Sequence, residues 1–145
     1  MKTMKRLILL LAIFAPLTTS TVFAFGETLS PEATEEIRLV AAKEKLSKES
    51  NAVVLYAKGL CCPSCAIGIR KMISKLGFVD HSRFNKGVDL DAKTQLVSVA
   101  IDETKKVNFK SLSQAVKTAG YDPVRAYELK DGKVLVETLV TEELK

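Results

Sequence analysis

The spacing of apolar positions changes repeatedly along the chain, and each change marks an element. The first run, "LILLLAIFAPL" over residues 7–17, is continuous rather than periodic. It follows Lys2, Lys5 and Arg6 and precedes "TTST" and the small residues around Phe23. This is the layout of a secretory leader cut after Ala24. An uncleaved anchor is the rival reading, opposed by Pro16 and the hydroxyl residues. A helical period follows, predicting a helix over 31–47 with Ser30 as cap and Pro31 in its first turn. Ile37, Val40 and Ala41 share its apolar face, with Leu46 close to it. "NAVVLYAK" (51–58) reads as a strand. "SCAIGIRKMISKL" (64–76) returns to helical spacing, with Ile69, Met72, Ile73 and Leu76 inward and Gly77 as its stop. "FVDHSRFNKG" is irregular. Residues 88–102 predict two strands around a turn near Lys93, with Val97, Val99 and Ile101 alternating toward a core. Asn108 caps a helix over 109–119 that buries Phe109, Leu112 and Val116; Val107 staples to Leu112, and Gly120 ends the helix. Residues 123–140 form a hairpin, because Asp131-Gly132 is a strong two-residue turn signal.

The predicted order is helix, then βαββαβ, then one more strand. An arrangement of this kind makes an α+β fold with an antiparallel sheet and two helices on one face. The chain divides into a leader (1–24), an N-terminal helical extension (25–50), a central domain (51–128) and a C-terminal strand and tail (129–145). Its 145 residues carry 22 basic and 17 acidic side chains. The net charge of +5 falls to +2 once Lys2, Lys5 and Arg6 leave with the leader. So mild a balance gives no footprint for nucleic acid.

All three cysteines lie in "GLCCPSC", residues 59–65. Export favours structural disulfides, but an odd number of thiols within five positions cannot staple distant parts of a fold. Chemistry at the sulfurs is the better reading. Cys62 sits at the predicted helix cap, Pro63 in the first helical position and Cys65 in the first turn. The positive end of the helix there favours thiolate. Two thiolates on one loop bind a soft ion, Cu(I) or Hg(II) above all, with Zn(II) or Cd(II) as alternatives. The same pair could close as a disulfide.

The loop resembles that of the heavy-metal-associated domain family, Gly-Met-X-Cys-X-X-Cys. Gly59 to Cys65 match it position by position, with Leu60 in place of Met, and "AGYDP" after the second helix adds to the likeness. The resemblance covers residues 51–128. It implies a ferredoxin-like βαββαβ fold, with one soft metal ion per chain held by Cys62 and Cys65. It places Tyr121 against the metal loop. It also implies docking of the basic face Arg70, Lys71 and Lys75 on an acidic partner, where composition alone gives a solvated helix face. An exported, free-standing copy looks most like periplasmic mercury-binding proteins and copper chaperones. Its partner would be a metal-transporting membrane protein or another metal-binding domain, and the chain itself a monomer. Three features depart from the family: a longer stretch over 77–88, the added strand 133–140, and Cys61. Cys61 is either a third sulfur ligand or a small residue pointing away from the loop.

His81, the one histidine, reads as a surface residue beyond reach of the thiols, and Met72 as core filling. No nucleophile–base pair, phosphate loop or acid pair suggests an enzyme. Three readings follow: a metal carrier in the periplasm or secreted, a thiol–disulfide oxidoreductase using Cys62 and Cys65, or an accessory domain docked through its N-terminal helix. The second lacks the parallel βαβ half and the aromatic residue before the first cysteine that thioredoxin-like chains carry.

Overall fold

The computed structural model describes residues 32–62 and 64–139. The leader, Ser30, Pro31, Pro63 and Val140 lie outside those residues. A five-stranded sheet forms the frame, with strands β1 (Ala52–Lys58), β2 (Val88–Asp91), β3 (Leu96–Ala100), β4 (Asp122–Lys130) and β5 (Lys133–Thr138). Its order is β2-β3-β1-β4-β5, and every neighbouring pair is antiparallel. Helices α2 (Cys65–Ile73) and α3 (Phe109–Thr118) complete the ferredoxin-like βαββαβ unit. A further helix, α1 (Glu35–Lys48), precedes it.

The alternation in β1 explains the layering. Val53, Leu55 and Ala57 point into one core with Ile69, Ile73, Leu112 and Val116 from α2 and α3. Val54 and Tyr56 point the other way, into a second core with Ala42 and Leu46 of α1. A strand buried on both faces reads as an unbroken apolar run, as "AVVLYA" does. The added strand β5 extends the sheet along β4 through a turn in which Asp131 and Gly132 both take positive φ, as a tight hairpin requires. The boundary expected at 128/129 therefore falls inside β4, which continues to Lys130.

Helix α1 differs from its expected form in two ways. It starts at Glu35, where the Thr34 hydroxyl accepts a hydrogen bond from the Ile37 amide. Its buried seam is Arg38, Ala42 and Leu46. Ile37 and Val40, expected inward, are 52% and 68% exposed. The reason lies across the interface. Small Ala42 lets the helix approach the sheet, and Arg38 finds partners there that no apolar residue could use. Its guanidinium lies 3.8 Å from the Tyr56 ring centroid and donates to the Thr94 carbonyl, to Gln95 and to Glu32. Tyr56 donates to the same Glu32 oxygen, and Arg125 of β4 pairs with Glu35. Arg38 is only 7% exposed, so Arg38→Met should strip three charge-assisted bonds from a nearly dry site. Glu32 can return to water, which limits the loss. The expected loss is about 2–3 kcal/mol of unfolding free energy, read from urea midpoints; a loss below ~0.5 kcal/mol would show that the arginine only decorates the interface.

The longer stretch after α2 is folded onto the sheet end. Val79 bridges to Ile101, and Ala100 donates its amide to the Gly87 carbonyl.

Candidate metal centre

The cysteine loop leaves the end of β1. Gly59 takes φ +91°, a conformation that turns the chain at no cost to glycine, and a Cβ there would meet the Tyr121 ring at 3.7 Å. Leu60 then inserts into the main core and anchors the loop. The Cys65 amide donates to the Cys62 carbonyl at 3.1 Å, closing a single turn. Regular helix begins only at Cys65, and Ser64 rather than Cys62 is the cap residue, with no side-chain cap bond. The expected cap at Cys62 is corrected by this turn, which uses the Cys62 carbonyl before the helix starts.

The turn gathers the sulfurs. Cys62 Sγ lies 3.0 Å from Cys65 Sγ and 2.9 Å from the Ser64 hydroxyl. Cys61 Sγ lies 3.8 Å from Cys65 Sγ, and all three sulfurs fall within 4.8 Å of one another. Cys61 is exposed, while Cys62 and Cys65 are half-buried free thiols. Among the described residues, these cysteines are the one group of three or more His, Cys, Asp or Glu side chains close enough to hold an ion. His81 is exposed and outside the group. A larger cavity, about 830 Å³, opens at the opposite end of β1 around Asn51, Ile101 and Phe109, but no thiol or histidine lines it.

The electrostatics single out Cys65. Its pKa is lowered to about 6, first by a hydrogen bond from Cys62, then by one from the Tyr121 hydroxyl and by the loop amides of Cys61 and Cys62. Tyr121 is pushed up to about 12, chiefly by its bond to Cys65, so it keeps its proton and donates. The Cys61 thiol is raised, chiefly by its hydrogen bond to Cys65. The family resemblance placed Tyr121 near the loop, and its ring does lie there, 3.7 Å from where a Cβ on Gly59 would stand. In the basic face, Lys71 and Lys75 are exposed, whereas Arg70 turns back toward the Val88 carbonyl.

A thiol with pKa about 6 is roughly nine-tenths ionised at pH 7, against about 3% for an ordinary cysteine. Iodoacetamide labelling of the reduced chain should therefore rise between pH 5 and 7 at Cys65 and level off above. Tyr121→Phe should shift that rise to higher pH, because a donor to the thiolate is lost. Peptide mapping of the label at each pH checks both, and an unmoved profile in Tyr121→Phe would remove the hydroxyl from this account.

No family model and no curated protein matches the chain. Among solved structures, a CopZ metallochaperone matches at 23% identity and a TM-score of 0.42, over 50% of this chain and 98% of its own. Oxidized MerP from Ralstonia metallidurans CH34 matches at 30% identity and a TM-score of 0.40, over 50% of this chain and 90% of its own. On its own strand order and helix placement, the described part of the chain is an antiparallel ferredoxin-like α+β domain with three thiols where β1 passes into α2.

Proposed function

We propose that this chain captures a soft metal ion, Cu(I) or Hg(II) in the first place, and passes it on by thiolate exchange. The observation that carries the reading is the clustering of the three sulfurs on one loop, and the lowered pKa of Cys65 favours its thiolate near neutral pH. Soft ions favour thiolate over every other protein ligand, and one that is ready-made need not give up a proton. The loop is open to solvent on the Cys61 side, so an incoming thiolate can bind before a resident one leaves. That suits transfer better than storage. The loop motif, with its resemblance to the heavy-metal-associated family, supports the same reading. The leader pattern supports a periplasmic or secreted site of action, and a metal-transporting membrane protein or second metal-binding domain as recipient. Binding rather than catalysis is the function.

The oxidoreductase reading is weakened by the sheet. Both neighbours of β1 run antiparallel to it, so the strand before the thiols has no parallel partner.

The test is an oxygen-free competition titration of the reduced chain against Hg(II), Cu(I), Zn(II) and Cd(II), with a small dithiol as competitor. One ion retained per chain, and released to a second thiol-bearing domain, supports the carrier. No retained ion, with fast exchange against a test disulfide, overturns it.

A further inference from the structure

We infer that the cargo of this site is an ion that takes three sulfurs, from Cys61, Cys62 and Cys65, in a pyramid rather than two in a line. The inference rests on the carrier reading and narrows it to a coordination class.

The spacing of the Cys62–Cys65 pair favours the pyramid over the line. With metal–sulfur bonds of ~2.3 Å, a linear two-sulfur ion needs its ligands ~4.6 Å apart, a flat three-sulfur ion ~4.0 Å and a pyramidal one ~3.5 Å. Cys62 and Cys65 are 3.0 Å apart, and Cys61 and Cys65 are 3.8 Å apart. A pyramid therefore asks the Cys62–Cys65 pair to open by ~0.5 Å and the Cys61–Cys62 edge, within 4.8 Å, to settle at ~3.5 Å by rotamer adjustment of the exposed Cys61, whereas a linear ion across Cys62 and Cys65 asks that pair to open by ~1.6 Å. The larger movement is opposed by the 3.1 Å bond from the Cys65 amide to the Cys62 carbonyl and by the start of α2 at Cys65.

Cys61 is placed to complete the pyramid. Because the loop turns instead of running extended, residues 61 and 65 face each other across one turn, and the Cys61 sulfur stands on the solvent side. The Tyr121 ring stands against the start of the loop, 3.7 Å from where a Cβ on Gly59 would lie. An ion held there has its fourth side toward solvent, where a lone pair or an incoming thiolate fits. Hg(II) and Cu(I) also accept three thiolates, so neither is excluded. Trivalent arsenic is the most selective probe. Arsenous acid and three thiols exchange three As–O bonds for three As–S bonds, the thiol protons leave with the oxygens as three waters, and no electrons change hands.

The experiment uses the full reduced chain, without oxygen, and two probes. Arsenite can take three sulfurs; phenylarsine oxide, with one position already carbon-bound, can take only two. In the wild type, arsenite should protect all three thiols from a test disulfide. Cys61→Ser should weaken arsenite binding at least ~100-fold, since it loses an intramolecular ligand. Phenylarsine oxide should bind wild type and Cys61→Ser within about threefold of each other, since the pair it needs is intact in both. Equal arsenite affinity in the two proteins, or one thiol left reactive in the wild-type arsenite complex, overturns the three-sulfur site while leaving the carrier standing. Failure of the wild type to hold either arsenical or Hg(II) removes the carrier reading and this inference with it.

Discussion

Replacing Cys62 by serine is expected to cut the affinity of the reduced chain for Hg(II) or Cu(I) at least about a thousandfold, and Cys65→Ser by as much. Structural zinc sites hold their ion with ~10–16 kcal/mol spread over four ligands, so one thiolate is worth ~3–4 kcal/mol, or ~10²–10³ in affinity. With three sulfurs in the whole cluster, each carries a larger share than in a four-ligand site. A serine hydroxyl stays protonated at neutral pH and is a hard ligand, so it replaces none of that share. The fold should not notice. The loop is fixed by buried Leu60 and by backbone bonds, and the two sulfurs are only half-buried. The metal-free variants should therefore melt within ~2–3 °C of the wild type, the usual margin for a substitution outside the core. Competition titrations and thermal melts on the same samples separate the two effects. Affinity and melting temperature falling together would recast the cysteines as structural.

The contrast between ligand and scaffold also shows what the sequence made legible. Strand β3 and helices α2 and α3 were readable from period, because they bury apolar positions their spacing marks, and β1 was readable from its run of Val, Leu and Tyr, buried on both faces. Asn108 and Asp131-Gly132 were readable because each satisfies a local need: the Asn108 side chain accepts from the Ser111 amide, and the hairpin turn needs positive φ twice. Local rules failed where partners are distant in the chain. Nothing near Arg38 announces that Tyr56, Thr94 and Gln95 wait across the sheet, so periodicity chose Ile37 and Val40 instead. At the metal loop, residue types named Cys62 and Cys65. The place of Cys61 depended on whether the loop runs extended or turns, and the single bond from the Cys65 amide to the Cys62 carbonyl decides that.

Gly87→Ala is expected to be the most destabilising of the small substitutions, by about 2–5 kcal/mol, with no effect on metal affinity in the folded fraction. Gly87 closes the stretch after α2. Its amide donates to the Arg83 carbonyl, its carbonyl accepts from Ala100 of β3, and its φ is +82°. An added Cβ would stand 2.2 Å from a Val79 methyl and 2.8 Å from the Asp80 carbonyl oxygen. The valine methyl cannot simply swing aside, because Val79 is packed in the main core and its backbone bridges to Ile101. Two costs therefore add: ~1–2 kcal/mol for a side chain in the left-handed region, and ~1–3 kcal/mol for overpacking. Gly120→Ala separates them. Gly120 has φ +93° but nothing within 4 Å of its Cβ position, so it should lose only the backbone part, ~1–2 kcal/mol. Urea midpoints of both variants give the difference, and equal losses would mean that Val79 yields. Metal affinity should survive because Gly87 adjoins Ala100, which pairs with Ala52 at the start of β1, while the thiols follow its end. Seven residues of strand put ~20 Å between the two. A titration of Gly87→Ala well below its unfolding midpoint should therefore match the wild type, and a weakened ion would mean that strain at one end of β1 reaches the cysteine loop at the other.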